Sequence, residues 1–280
     1  MQQTNIKNDY VKMNDYEFKK LSAFIYINYG INIPDAKKII LESRLQKRLK
    51  ALNLTSYKKY IERILDKEEN EEIVKMIDLV STNKTDFFRE KAHFDFLSNV
   101  ILPEISENKC IKIWSAASSS GEEVYSIAIT IQEYLEKKRK KLNYSILGTD
   151  ISSEMLQKGS IGIFNKDRIS HLPIALVKKY FLKSKNIHNP LIRVNLELRN
   201  KVMFLRHNLI GDNYPGASGF DIIFCRNVLI YFDRPTQQKI ILKLLNKLKT
   251  GGYLFLGHSE SILGMNIPLK QLAHTTYQKV

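Results

Sequence analysis

Residues 111–125, IKIWSAASSSGEEVY, constrain the fold more than any other stretch of the chain. The apolar run Ile111 to Trp114 reads as a short buried strand. Seven small residues follow, Ser115 to Gly121, drawn from only three types. Glu122 and Glu123 then open an amphipathic helix, with Val124, Ile127, Ala128 and Ile131 at helical spacing. A strand, a tight turn of small residues and a helix start can hold a nucleotide-like ligand at the carboxyl edge of a parallel sheet. Small side chains let the backbone approach a ligand, and the first-turn amides point at it. The acidic pair disfavours a phosphate and suits a ribose, an amine or a cation. The competing structural reading is that any α/β domain needs such a turn.

The chain before this stretch reads as helical. Tyr16, Phe18, Leu21, Phe24 and Ile25 give one amphipathic helix, ended near Gly30. Pro34 starts a second, on which Leu41, Leu45, Leu49 and Leu52 form one stripe and Lys37, Arg44 and Arg48 another beside it. Between Lys37 and Lys59 there are eight Lys or Arg and one acid, Glu42. This is either a solvated face or a docking surface for an acidic helix or phosphates. A third helix starts at Ser56, and a fourth covers Ile73 to Leu79. The segment from Ser81 to Glu90 joins this region to the next.

Beyond the first βα unit, Tyr144 to Leu147 is a second strand ending in Gly148-Thr149-Asp150. An acid there is placed to bind ribose hydroxyls or to cap the helix starting at Ser152. From Lys178 to Arg206 there are eight Lys or Arg against Glu197 alone. Strand-like pieces, among them Leu191–Leu196 and Val202–Arg206, suggest a small antiparallel insertion over about 160–206. Phe220 to Cys225 resumes the sheet and delivers Arg226-Asn227 to the same edge. A helix ending at Leu248 and a strand Tyr253–Leu256 follow, with Thr275–Val280 able to pair antiparallel.

Composition narrows the function classes. Apolar content of 44 % and charged content of 26 % fit a globular chain of one large or two modest domains. No apolar run reaches the roughly 20 residues of a membrane span, and the polar N-terminus lacks a signal-peptide core. Cys110 and Cys225 make no disulfide framework, so a cytoplasmic location is expected. The six histidines show no paired ligand spacing, so no metal is expected. The net charge of +15 calls for an acidic partner.

Several segments together resemble the chemotaxis receptor methyltransferases. They are Asn83 to Glu90 (NKTDFFRE), Trp114 to Ala117 with Gly121 to Ser126, Thr149-Asp150-Ile151, and Phe224 to Phe232 (FCRNVLIYF). Gly251 to Leu254 and Gly257 to Glu260 fit the family's C-terminal end, and Arg44 to Leu49 with Tyr57 to Ile61 its N-terminal helical domain. The resemblance covers nearly the whole chain. It implies a Rossmann-like α/β methyltransferase domain at 85–280, carrying the β insertion, behind an all-helical receptor-docking domain at 1–84.

The implied methyl donor is S-adenosylmethionine, with S-adenosylhomocysteine as product. Its contacts would fall on Asn83, Thr85, Arg89, Ala117, Glu123, Asp150, Asn208, Leu209, Arg226 and Asn227. Arg89 and Tyr231 would lie beside the methyl group as catalytic residues. Arg89 would hold a carboxylate of the donor or of the substrate; Tyr231 would donate a hydrogen bond or pack near the sulfonium. The implied substrate is a glutamate on the cytoplasmic helical bundle of chemoreceptors, docked on Lys37, Arg44 and Arg48. Neither nucleic acid nor membrane insertion is expected, and the chain is expected to be a monomer. The family pattern departs at one place: only Gly121 remains where many methyltransferases carry several glycines, although the replacements are all small. A carboxylate is ionised at neutral pH, so methyl transfer to it needs no general base. The rival readings are a nucleic-acid methyltransferase, for which a polar-aromatic base pocket is missing, and a binding module without catalysis, which the intact Arg89, Asp150, Asn227 and Tyr231 oppose.

Overall fold

The computed structural model describes residues 10–66, 70–81, 83–106, 109–186, 188, 190–216 and 219–280. Residues 1–9 and 67–69 of the expected helical domain, Thr82 of the joining segment, and Ile187 and Asn189 of the expected insertion lie outside these. The chain divides into two compact units, Met1–Thr82 and Asn83–Val280, so Asn83 and Lys84 belong with the second.

Among the described residues the first unit holds four α-helices: α1 (Asp15–Tyr29), α2 (Lys38–Ala51), α3 (Tyr57–Leu65) and α4 (Asn70–Val80). Asn14 and Glu17 form a reciprocal capping box at the start of α1, and Gly30 closes it in the left-handed conformation at φ 70°. Pro34 precedes a single 3-10 turn, Asp35–Lys37, that leads into α2. Ser56 caps α3. The leucine stripe of α2 turns inward: Leu41, Leu45 and Leu49 are buried, as are Phe18, Leu21 and Ile25 of α1 and Tyr57 and Tyr60 of α3.

The second unit begins with α5 (Ala92–Phe96), a π turn (Leu97–Ile101) and a short α6 (Leu102–Glu104). Then come β1 (Cys110–Ala116), α7 (Glu122–Lys138), β2 (Asn143–Asp150) and α8 (Ser153–Ile161). The next stretch holds β3 (Ile163–Asn165), α9 (Ile174–Tyr180), β4 (Phe181–Lys183), β5 (Leu191–Val194), α10 (Leu196–Arg199) and β6 (Val202–Arg206). The chain closes with β7 (Phe220–Cys225), α11 (Arg234–Lys247), β8 (Leu248–Leu256), β9 (Leu269–Ala273) and β10 (Thr276–Lys279).

The main sheet has the order β6-β2-β1-β7-β8-β10-β9. From β6 to β8 the pairs are parallel, and β10 is inserted antiparallel to β8 and β9. The chain moves outward from β1 to β6, then returns to β7 on the other side of β1. The order therefore reverses between β1 and β7, the place in an open α/β sheet where ligands bind beyond the carboxyl ends of the strands. Both faces of the sheet are covered, which is why its strands read as continuous apolar runs. Ile111, Ile113, Ile222 and Phe224 join the core on the α7 face, and Trp114, Ala116, Ile223 and Cys225 join the core on the α11 face.

The insertion is a separate antiparallel sheet, β3-β5-β4. Val202–Arg206 is not part of it. This strand is instead the parallel edge of the main sheet, paired with β2 from Ile146↔Val202 to Asp150↔Arg206. Its anchor is Phe204, whose ring fills the space over three glycines. A Cβ on Gly121, Gly148 or Gly159 would approach that ring to 2.9, 2.8 and 2.8 Å. Glycine to alanine within a helix ordinarily stabilises. Gly159→Ala is expected to do the reverse, costing roughly 1–3 kcal/mol by overpacking. Phe204→Leu in the same chain should recover part of the loss in a thermal melt; an unchanged or raised melting temperature for the single variant would contradict this packing.

Candidate active site

Left-handed backbone at residues other than glycine is costly and gathers at functional sites. Of eight such residues among those described, five lie in three loops of this unit: Phe88, Glu90, Ala117, Ser119 and Asn227. These loops precede α5, follow β1 and follow β7, and hydrogen bonds join them.

The loop after β1 is held to the tip of β2. Ser118 N donates to Thr149 O at 2.8 Å, and Ser119 N donates to Asp150 Oδ2 at 2.8 Å. The other carboxylate oxygen, Oδ1, accepts from Ser152 N at 3.0 Å. Asp150 thus ties the β1 and β2 loops together, while Ser152 itself caps α8 by accepting from Met155 N. Ala117 and Ser119, at φ 67° and 48°, let the small-residue loop curl.

Arg226, at the end of β7, is the hub. Its Nη1 donates to Glu123 Oε2 at 2.9 Å, Nη2 to Glu90 Oε2 at 2.8 Å and to Arg89 O at 2.5 Å, and Nε to Glu90 Oε2 at 3.3 Å. Its side chain is 1 % exposed. Glu123 also accepts from Ser115 Oγ at 2.7 Å. Glu90 Oε1 accepts from Asn227 Nδ2 at 3.0 Å and from His258 N at 3.2 Å. Glu260 lies buried beneath the turn, accepting from Asn227 N at 2.9 Å, Leu229 N at 2.7 Å and Gly257 N at 2.5 Å. That carboxylate holds Asn227 in its left-handed conformation and sets the 3-10 turn Leu229–Tyr231 that carries Tyr231.

Two acids at the start of α7 are thereby used internally. Glu122 is paired with Arg168 at 2.6 Å, which also reaches Asp86 at 3.0 Å and Thr85 O. Glu123 is paired with Arg226. Arg89 sends Nη1 to Lys84 O at 2.8 Å and is half-buried. Asn83 O accepts from Ser119 Oγ at 3.5 Å. Asn208 and Leu209 follow β6 directly after His207, whose N donates to Asp150 O at 2.9 Å. The structure therefore links Asn83, Thr85, Arg89, Ala117, Glu123, Asp150, Asn208, Leu209, Arg226, Asn227 and Tyr231 through one set of loops at the sheet edge. The guanidinium of Arg226 is spent on holding that set together.

The other expected residues, Lys37, Arg44 and Arg48, lie in the helical unit. Lys37 is exposed. Arg44 Nη1 donates to Val80 O at 2.6 Å at the end of α4. Arg48 forks onto the buried Glu72, Nε to Oε1 at 2.8 Å and Nη2 to Oε2 at 2.7 Å. Two of the three thus hold α2 to α4, which corrects the reading of the stripe as a wholly solvent-facing surface. The cause lies in Glu72, a buried acid that requires a partner.

Electrostatics follow from burial and pairing. Burial alone would raise the pKa of Glu90, but hydrogen bonds from Asn227 and Arg226 outweigh it and lower it from 4.5 to about 2. Burial raises Glu123 and Glu260. It also pushes the Cys225 thiol well up, leaving an inert buried group. A lowered folded pKa means that ionised Glu90 adds stability above about pH 4.5, lost as the pH falls through about 2. The stability advantage of the wild type over Glu90→Gln should accordingly shrink between those values in acid unfolding curves. A constant difference across that window would contradict the pairing.

Sequence reasoning passed over Glu90, Glu260, Ser118, Ser119 and Arg168. Glu90 and Glu260 were within reach, since each ends a segment already singled out. Arg168 was not, because its partners are far away in sequence.

The polar atoms at this edge suit a ligand that offers hydroxyl groups, such as a ribose. Ser118 Oγ and His207 Nε2 are buried without a hydrogen-bond partner. Asp150 stands between them in the chain's fold, bonded by backbone to each neighbouring loop. The small side chains from Ser115 to Gly121 leave the backbone open to close approach.

Comparison with known proteins agrees. The family model described as the CheR methyltransferase S-adenosylmethionine-binding domain matches residues 83–278, and that of the CheR methyltransferase all-alpha domain matches 16–81. A chemotaxis protein methyltransferase of Borreliella burgdorferi is 41 % identical over 94 % of both chains. Its counterpart in Escherichia coli is 36 % identical over 89 % of this chain and 85 % of its own. That of Salmonella typhimurium is 35 % identical over 95 % and 90 %.

Proposed function

Because the chain belongs to the CheR methyltransferase family, whose reaction is S-adenosylmethionine-dependent methylation in chemotaxis, we propose that it methylates glutamate side chains on the cytoplasmic helical bundle of chemoreceptors. The observation that carries this reading is the joining of the β1, β2 and β7 loops through Asp150, Glu123 and Arg226 at the point where the sheet order reverses. S-adenosylmethionine, when bound, supplies an electrophilic methyl group on a sulfonium. Asp150 would receive its ribose hydroxyls, and Asn208 and Leu209 would contact it from the loop after β6. Arg89 holds a carboxylate, and Asn227 and Tyr231 border the methyl group.

A substrate glutamate needs no base, since its carboxylate is already ionised. Its oxygen would take the methyl group that the donor supplies, with the electron pair of the broken carbon–sulfur bond leaving on sulfur. No proton moves. The chain's own residues therefore act by alignment and by excluding water. The buried inertness of Cys225 agrees with a mechanism without a protein nucleophile. The charge of +15 suits an acidic helical substrate in the cytoplasm. Among the described residues no helix is long and apolar enough to cross a membrane.

Exposed Lys37, together with Lys47 and Lys50 on α2, is the docking surface proposed for the receptor. Arg44 and Arg48 contribute by holding α2. Lys37→Glu should weaken methylation at limiting receptor without changing S-adenosylhomocysteine affinity. The reading as a whole is tested by incubating the chain with methyl-labelled S-adenosylmethionine and receptor cytoplasmic fragments. Label released as methanol by mild base is expected, as for a glutamate methyl ester. Base-stable label, or label on added nucleic acid instead, would overturn it.

A further inference from the structure

The segment that supplies Arg226 with its partner also builds a second constellation. Glu90, in the loop before α5, and His93, on α5, are three residues apart, and His93 N donates to Glu90 O at 3.1 Å. His258 joins them from the loop after β8. His93 is almost fully buried, its Nε2 lies 3.0 Å from Thr275 Oγ1, and its ring packs 5.3 Å from that of Phe255. Its Nδ1 has no hydrogen-bond partner and faces Glu90 Oε2 at 3.6 Å. His258 Nε2 stands 4.0 Å from the same oxygen. The three atoms all lie within 4.8 Å of one another.

A separation of 3.6 Å is too long for a hydrogen bond. His93 Nδ1 is buried without a partner and is aimed at that carboxylate oxygen. In the tautomer whose Nε2 donates to Thr275 Oγ1, the Nδ1 lone pair faces that carboxylate. Two acceptors facing one another in a buried place are stabilised by a cation between them. We propose that Glu90 Oε2, His93 Nδ1 and His258 Nε2 bind one divalent cation of the zinc class.

The donor set supports that choice. Two imidazole nitrogens and one carboxylate oxygen are a known zinc combination that leaves a fourth position open. Imidazole donors disfavour magnesium and calcium, which take oxygen ligands. Bonds of about 2.0–2.1 Å imply tetrahedral ligand separations of roughly 3.3 Å, so the edges of 3.6 and 4.0 Å to Glu90 and the histidine–histidine edge, within 4.8 Å, must all close. The His258 side chain, 46 % exposed, has room to move. Arg226 shares Glu90 Oε2 at 2.8 Å and repels a cation there. The affinity is therefore micromolar rather than nanomolar. The sequence hid this site because one ligand stands 165 residues beyond another.

The test is titration of zinc chloride into the full chain by calorimetry, with competition by a chromogenic chelator. The wild type should take up one ion per chain with a micromolar Kd. His258→Ala should weaken uptake at least about tenfold while keeping the near-ultraviolet circular dichroism of the folded chain. His188→Ala, at an exposed histidine outside the constellation, should leave uptake unchanged. No saturable uptake, uptake that His258→Ala leaves unchanged, or equal loss in His188→Ala would overturn the proposal.

Discussion

Asp150→Ala is expected to weaken S-adenosylhomocysteine binding by roughly 100-fold or more. Hydrogen bonds to a charged group contribute about 1.5–3 kcal/mol each, and a ribose offers two hydroxyls to this carboxylate. The same substitution removes the acceptor of Ser119 N and Ser152 N, two donors in the loops that shape the site. Each buried amide left unpaired costs about 1–3 kcal/mol. The variant should therefore melt at a lower temperature as well as bind weakly. Asp150→Asn separates the two effects. Its carbonyl oxygen can still take one backbone donor, so it should recover more stability than affinity. Calorimetry and a thermal melt on both variants check this. Affinity within threefold of wild type for Asp150→Ala would remove Asp150 from the site.

Arg226→Met should be the most destabilising single change in the second unit. It leaves Glu90 and Glu123, 11 % and 13 % exposed, without the guanidinium that pairs them. Removing one member of a buried ion pair costs about 3–5 kcal/mol, equivalent to roughly 10 °C in a domain of this size. Arg226→Lys should rescue little, because a single ammonium cannot fork to Glu90, Glu123 and Arg89 O together. Adding Glu90→Gln to Arg226→Met should restore part of the loss by removing one of the stranded charges. That non-additivity is the signature of direct coupling. Simple additivity of the two substitutions would mean that the hub seen at Arg226 contributes little.

How far the residues disclosed this arrangement depended on whether partners were near in sequence. The run from Ile111 to Gly121 and the Gly148-Thr149-Asp150 tip were legible because strand, turn and helix are local. The continuous apolar strands showed that both faces of the sheet are covered, but the reversal between β1 and β7 appears only in the folded sheet. Val202–Arg206 was misassigned because its half-polar alternation matches an edge strand of either sheet. Only Phe204, seated over Gly121, Gly148 and Gly159, decides the matter, and that contact is long-range. Arg44 and Arg48 looked like a free basic face for the same reason. Glu72, the acid that claims Arg48, lies two helices away. Glu122 and Glu123 were read as facing a ligand, whereas each faces an arginine delivered from a distant segment.

The crystal structure of the chain with S-adenosylhomocysteine tests the central assignment most directly. The ribose hydroxyls should lie within about 3 Å of the Asp150 carboxylate oxygens, with the sulfur beside Tyr231 and Asn227 and the loop from Ala117 to Gly121 against the ligand. Adenosine density elsewhere, or a ribose that leaves Asp150 bonded only to Ser119 and Ser152, would contradict it.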